Sequence, residues 1–170
     1  MKRPPFHHFP FLSDEKVLLR QIEPGEVKDI IDISFYDAKK ASSVSEALQM
    51  LEKIYLDYAN GESIHWGIVD KTTNIIVGTC GYYRGFNYEC GELGCVLIPQ
   101  YQGFGFMTHA MQLSVDFGFN TMELKKIIAI TRAQNTKAID LMQRLGFLEM
   151  EKTNDSTLQF QNINKYTSLR

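Results

Sequence analysis

Between residues 90 and 119 the hydrophobic pattern changes period. Cys90 to Ile98 is apolar except for two glycines and Glu92, which predicts a strand, and Pro99 stops it. Gly103 and Gly105 mark a turn. Phe106, Ala110, Leu113 and Phe117 then recur at helical spacing, so a helix is expected from Gly105 to about Phe119. A strand that hands over to a helix in this way aims backbone N–H groups outward, where the peptide dipoles also favour negative charge. The turn glycines allow a tight bend and a close approach by an anion. Phosphate fits such a turn. No lysine precedes the helix, so this is not a nucleotide-triphosphatase loop. Thr108 stands where the third glycine of a dinucleotide fingerprint would be.

The rest of the chain alternates between the two periods. Residues 1 to 16 are rich in proline and aromatics and read as an arm, either loose or packed by Phe6, Phe9 and Phe11. Val17 to Ile22 is a strand. Pro24 then suits a first helical turn, with Val27, Ile30, Ile31 and Phe35 at helical spacing behind it. Ser43 to Glu46 forms a capping box. It opens the clearest amphipathic helix, striped by Val44, Ala47, Leu48, Leu51, Ile54, Tyr55 and Tyr58 and stopped at Asn60-Gly61. His65 to Val69 and Ile75 to Tyr83 make a hairpin over a polar loop. Lys126 to Thr131 has a continuous apolar centre and is expected to be covered on both faces. Asn135 caps a short helix whose Ala138, Leu141, Met142 and Leu145 face inward, and Gly146 ends it. Phe147 to Lys152 is a strand, Thr153 to Ser156 a turn, and Leu158 to Leu169 the closing strand. The order predicts a mixed α/β (α+β) single domain, antiparallel at the front, with a right-handed parallel crossover through the central helix.

Composition narrows the function. The 170 residues suit one domain with a real core, and 44% apolar with 22% charged content is ordinary for a globular chain. A net charge of −2 recommends no nucleic acid as partner. No stretch approaches about 18 apolar residues, so no membrane span is expected. The odd count of three cysteines, Cys80, Cys90 and Cys95, argues for reduced thiols and a cytoplasmic location. His65 and His109 are isolated and no Cys-x-x-Cys occurs, so no metal site is expected.

Three separated segments resemble one family. Anchored on Pro99-x-Tyr101, the turn reads Gln102-x-x-Gly105-x-Met107. It resembles the Arg/Gln-x-x-Gly-x-Gly/Ala signature with which GCN5-related N-acetyltransferases hold the pyrophosphate of coenzyme A. Met107 departs from the small final residue. The frame Gln100-x-x-Gly103-x-Gly105 fits the letters better but sets Pro99 at the wrong distance from the turn. Asn135 to Phe147 looks like the family's Asn-x-x-Ser/Ala block ending in Leu-Gly-Phe. Asn87-x-x-Cys90-Gly91-Glu92-Leu93-Gly94-Cys95 is similar to the strand of the RimJ/RimL-type branch, the ribosomal-protein N-terminal acetyltransferases.

The resemblance implies a domain over residues 17–170 behind the arm. Its mostly antiparallel sheet would have about seven strands around a parallel splayed pair, with about four helices. It implies acetyl-CoA as cosubstrate and a primary amine as acceptor, with a protein N-terminal α-amine as the main reading. A polyamine, an aminoglycoside, or coenzyme binding without turnover are the alternatives, and a homodimer is compatible. Carried over by position, the thioester arm lies on Cys95, Val96 and Leu97. The pyrophosphate lies on Gly103, Phe104, Gly105, Phe106, Met107 and Thr108. Asn135 and Met142 complete the coenzyme contacts. Glu92, on the thioester strand, is the candidate base, with a solvated or salt-bridged strand residue as its plain alternative. The acid that protonates the thiolate in many relatives is a tyrosine at the position of Met142, so either another group such as Tyr83, or water, serves, or the thiolate leaves unprotonated. Trp66, Tyr82, Tyr83 and Phe86 are either an acceptor groove or packing.

Overall fold

The computed structural model describes residues 1–150 and 156–163. In chain order it contains β1 (Leu12–Ser13), β2 (Val17–Arg20), β3 (Phe35–Tyr36), β4 (Lys39–Lys40), α1 (Val44–Ala59), β5 (Ile64–Asp70) and β6 (Ile75–Tyr83). Then come β7 (Cys90–Leu97), α2 (Phe106–Asn120), β8 (Lys126–Arg132), α3 (Thr136–Arg144), β9 (Leu148–Glu149) and β10 (Thr157–Ile163). Eight strands form one sheet in the order β1-β2-β5-β6-β7-β8-β10-β9, and β3 and β4 form a separate hairpin. Every pairing in the large sheet is antiparallel except β7 with β8. This is the expected single-domain α+β fold around a parallel central pair. Of the strand expected at Phe147 to Lys152, the described part contains β9. Glu151 to Asp155, and the closing strand beyond residue 163, lie outside the described residues.

The sheet is the middle of three layers. On one face Trp66, Tyr82, Leu93, Met111, Phe117 and Phe160 are buried together between sheet, α2 and α3. The Trp66 and Phe117 rings meet edge to face at 5.4 Å, and the Tyr82 hydroxyl donates to the Ser114 carbonyl of α2 at 2.8 Å. Fully burying a large apolar side chain of this kind contributes about 1.5–3 kcal/mol. The arm belongs to this layer: Phe6 sits edge-on to Phe117 at 5.5 Å, and Trp66 Nε1 donates to the Pro10 carbonyl at 2.9 Å. Phe11 stays exposed. On the other face Ile22, Val27, Ile33, Met50 and Leu51 cover Val69 and Ile76.

Two local expectations change. No α-helix forms over Pro24 to Phe35; two 3-10 segments, Pro24–Asp29 and Ile31–Ile33, lead into the β3–β4 hairpin. Gly25 and the β-branched Ile30, Ile31 and Ile33 are poor helix formers. Asp37 and Ala38 then both take positive φ, 49° and 60°, the conformation of a tight hairpin turn. On β8 only Ile127 and Ala129 are buried, while Ile130 is 47% exposed, so one face of the strand is open. The layer built by α1 packs on β5 and does not cover β8. Helix α1 itself begins as its sequence requires. Ser43 Oγ accepts from the Glu46 N–H at 3.2 Å, while the Glu46 carboxylate accepts from the Ser42 N–H at 2.8 Å. The Lys39 ammonium at 2.6 Å, and then Ser42, hold the Glu46 carboxyl down to about 2.

The sheet tolerates no side chain at Gly81, where a Cβ would stand 2.3 Å from the Ile64 carbonyl oxygen. Gly81→Ala is expected to destabilise the protein by about 1–3 kcal/mol in urea unfolding. Gly25→Ala, with nothing within 4 Å, is expected to stay within about 0.5 kcal/mol of the parent. Equal midpoints for the two variants would refute the tight β5–β6 approach.

Candidate active site

Strands β7 and β8 run together for only three residue pairs, Cys90 with Lys126, Gly91 with Ile127 and Glu92 with Ile128. Beyond Glu92 they part. On its other side β7 stays paired with β6 as far as Leu97. The Ile98 N–H bonds the Val77 carbonyl at 2.9 Å on the β6 side, and the Glu89 carbonyl accepts from the Lys125 N–H at 2.8 Å on the β8 side. Alternation between these anchors turns the main-chain groups of Val96 toward β6. Those of Cys95 and Leu97 turn into the gap. An extended ligand can pair there as a strand would.

At the end of β7, Pro99–Tyr101 forms one 3-10 turn and Gly105 precedes α2 at φ 86°. No side chain caps the helix. Among the described residues, no acceptor meets the N–H groups of Gly103, Phe104, Gly105, Phe106 or Met107. The Thr108 and His109 amides both turn to the Gly105 carbonyl, at 3.0 and 3.3 Å. Thr108 therefore lines the cavity without a free N–H.

A cavity of about 1100 Å³ connects these features, lined by Cys95, Val96, Leu97, Gly103, Gly105, Met107, Thr108 and Asn135 together with α3. Asn135 Oδ1 accepts from the Ala138 N–H at 3.2 Å, so it caps α3 as well as facing the cavity. Met142 is buried in the core and does not line this space, and Phe106 is buried beneath the turn. Phe104 is 63% exposed at its edge. Lys137 and Arg144 add positive charge from α3, offset in part by Asp140. Lys16 adds more from the β1–β2 turn, with its Nζ 4.9 Å from the Phe106 ring centre and its Cε 3.9 Å from where a Gly105 Cβ would be. That turn is tied to α2: Asp14 accepts from the Lys16 and Val17 amides at 2.8 and 2.9 Å, and its other oxygen meets His109 Nδ1 at 2.7 Å. His109 is thus partnered, where the sequence alone left it isolated. Free amides at a helix start, nearby cations and a parted strand edge together fit a diphosphate with an extended thioester arm.

A second cavity, of about 820 Å³, lies on the opposite face of β7 and shares Cys95 and Val96 with the first. Its floor includes His65, Thr79, Tyr83, Glu92 and Gly94, and its walls are the β3–β4 hairpin, the end of α1 and the loop after β6. Tyr83 and Glu92 are directly opposed across β6 and β7. The Arg84 guanidinium is paired with the Glu92 carboxylate, the glutamate side chain 18% exposed and the arginine 65%. Asp57 accepts from the Tyr36 hydroxyl at 3.1 Å. Burial raises the Tyr83 phenol well above its usual value, so it stays protonated and donates hydrogen bonds rather than protons. Trp66, Tyr82 and the side chain of Cys80 belong to the opposite core, so of the aromatics weighed for a groove only Tyr83 and Phe86 reach the cavity. Sequence reading missed Tyr36, Asp37, Asp57, Glu62 and Arg84, because chain-distant segments bring them together. The turn at Asp37-Ala38 was their one local signal.

Comparison with known proteins fits this geometry. A family profile described as acetyltransferase (GNAT) domain matches residues 16–148. The uncharacterized N-acetyltransferase p20 of Bacillus licheniformis is 30% identical over 138 residues, 80% of this chain and 74% of that one. The uncharacterized N-acetyltransferase YoaA of Bacillus subtilis (strain 168) is 25% identical over 147 residues, 82% of this chain and 83% of that one. A spermidine N(1)-acetyltransferase of Vibrio cholerae is 22% identical over 144 residues, 80% and 81% of the two chains. Among solved structures, a putative ribosomal-protein-serine acetyltransferase from Vibrio cholerae superposes with a TM-score of 0.80 over 96% of this chain and 100% of that one, at 18% identity.

Gly105→Val places a β-branched residue at φ 86°, which costs on the order of 1–2 kcal/mol. Calorimetry is expected to show CoA binding about tenfold weaker, and undiminished affinity would remove the turn from the site. Burial also pushes the His65 imidazole down to about 4, against 6.5 when free, so the unfolded chain binds the extra proton first. Stability is expected to fall as pH drops from 6.5 toward 4, and His65→Phe should remove that part of the slope in urea unfolding.

Proposed function

The chain belongs to the acetyltransferase (GNAT) domain family, and we propose that the amine it acetylates from acetyl-CoA is a small polycation of the spermidine type. One observation carries the choice of acceptor: the cavity that reaches the thioester strand is acidic. Asp37, Asp57, Glu62 and Glu92 line it against Arg3 and Arg84. Glu92 and Arg84 pair with each other, so Asp37, Asp57 and Glu62 stand against Arg3, whose guanidinium donates to the Phe86 carbonyl at 3.3 Å. Such walls attract and orient several ammonium groups. The spermidine acetyltransferases among the relatives agree with this reading.

Bound acetyl-CoA supplies the activated acyl group. The Leu97 N–H points into the gap and stabilises negative charge as it develops on the thioester carbonyl oxygen. An alkyl amine with a pKa near 10.4 is neutral in only about four parts in ten thousand at pH 7, so it needs a base. Glu92 takes that proton, directly or through a water. Its present partner, Arg84, gives way as the incoming ammonium offers the same charge to the carboxylate. No tyrosine reaches the leaving thiolate from position 142, and a thiolate leaves without prior protonation.

A second reading keeps the chemistry and makes the acceptor a protein N-terminus, as in the RimJ/RimL-type branch. The Asn87 to Cys95 segment supports it. An α-amine, with a pKa near 8, also asks less of a base.

A thiol-release assay with spermidine and a peptide bearing a free α-amine separates the two. Spermidine is expected to show the higher kcat/KM, and a preference for the peptide would transfer the conclusion to the second reading. Glu92→Gln is expected to lower kcat by about 10²- to 10⁴-fold. Asp57→Asn combined with Glu62→Gln is expected to raise KM for spermidine about fivefold while leaving KM for acetyl-CoA unchanged. A kcat for Glu92→Gln equal to the parent would remove Glu92 from the chemistry.

A further inference from the structure

His65 sits on β5 directly opposite Gly81 of β6, which in turn is opposite Gly94 of β7. Directly opposed residues share a face of the sheet, so the imidazole lies on the face that carries Tyr83, Glu92 and Val96. The two glycines leave the row beside it bare. A Cβ at Gly81 would strike the Ile64 carbonyl and His65 Cα, and one at Gly94 would stand 2.9 Å from the Tyr83 ring. The imidazole meets Tyr83 edge to face, centroids 5.4 Å apart at 72°. It also lines the acidic cavity, at its border with a small apolar pocket under α1.

Both of its ring nitrogens are shielded from solvent and have no hydrogen-bond partner among the described residues. That is an uncommon state, because buried polar atoms normally find partners. Leaving them unpaired costs free energy that a bound donor would recover. A histidine with a purely structural role is held by an acceptor of its own chain, as the partly exposed His109 is by the Asp14 carboxylate.

We propose that His65 recognises the acceptor: a turn of the ring brings its unprotonated nitrogen, shielded in the free protein, to the cavity, where it accepts a hydrogen bond from an amine N–H of the substrate, on the sheet face that carries Glu92. The proposal rests on the second cavity being the acceptor site. Burial keeps the ring neutral at physiological pH, so it offers a lone pair and no competing positive charge. The carboxylates on the walls attract any cation. The histidine adds direction, because a lone pair in the ring plane rewards only an N–H that points along it. His65 therefore acts as a specificity determinant that holds the reacting amine in place, while Glu92 handles the proton.

Steady-state kinetics on His65→Phe test this, since phenylalanine keeps the ring and its edge contact with Tyr83 but removes both nitrogens. KM for spermidine is expected to rise about tenfold, with KM for acetyl-CoA unchanged. His65→Asn or His65→Gln, which restore an acceptor oxygen, should recover much of the loss. A purely structural histidine would instead lower the melting temperature without altering the spermidine KM. An independent readout uses the unmutated protein: with CoA present, spermidine should shift the ring ¹⁵N resonances assigned to His65. Unmoved resonances, or an unchanged spermidine KM in His65→Phe, would overturn the inference. If the parent protein turns spermidine over in either of those cases, the polyamine reading stands and only the role of His65 falls. If spermidine moves the resonances but is not acetylated, His65 keeps its role and the polyamine reading falls.

Discussion

The fold depends on a ladder that stops early. Two parallel strands in the middle of a sheet normally exchange hydrogen bonds along their whole shared length, because unpaired main-chain groups in a protein interior are costly. Here β7 and β8 do so over three pairs and then separate. The N–H and C=O groups of Cys95 and Leu97 are left facing a gap that opens into cavities on both sides. The large apolar cluster on one face and the smaller one on the other hold the sheet together around this opening. The gap is what lets two ligands approach one strand from opposite sides.

Charge follows the same division. On the α2 and α3 side the lining cations are Lys137 and Arg144, with Lys16 close by, and the helix start adds its own partial positive charge. On the α1 side carboxylates dominate. The proposed function gives an anionic donor one chamber and a cationic acceptor the other, and the two linings share Cys95 and Val96. The Asp14–His109 contact contributes from outside either chamber: it fixes the β1–β2 turn against α2 and so sets Lys16 beside Gly105.

Features that one segment encodes by itself were legible in the sequence. The strand–turn–helix through Pro99 and Gly105 needs only a proline, a left-handed glycine and a change of period. The starts of α1 at Ser43 and α3 at Asn135 need only one side-chain oxygen each. The segment from Pro24 to Phe35 was misread because its apolar spacing suits a helix, whereas two successive left-handed residues just beyond it, Asp37 and Ala38, impose a hairpin. On β8 the apolar run gave no hint that one face would lack a covering layer. The chamber proposed for the acceptor was the least legible part. Its carboxylates come from a hairpin, from α1 and its following loop, and from β7, and no spacing rule links them. His65 looked like an isolated residue because the glycines beside it lie on other strands.

Those glycines also constrain how the protein can change. The depth of the second chamber comes from side chains that are missing from the sheet itself, at positions where the neighbouring carbonyl or ring leaves no room for one. The floor is therefore frozen by the same contacts that hold the strands together. The hairpin, the end of α1 and the loop after β6 carry no such constraint, since they border the chamber without stitching the sheet. Divergence toward new amines can proceed by redecorating this rim while the foundation stays the same, which is how one scaffold can come to serve acceptors of different length and charge.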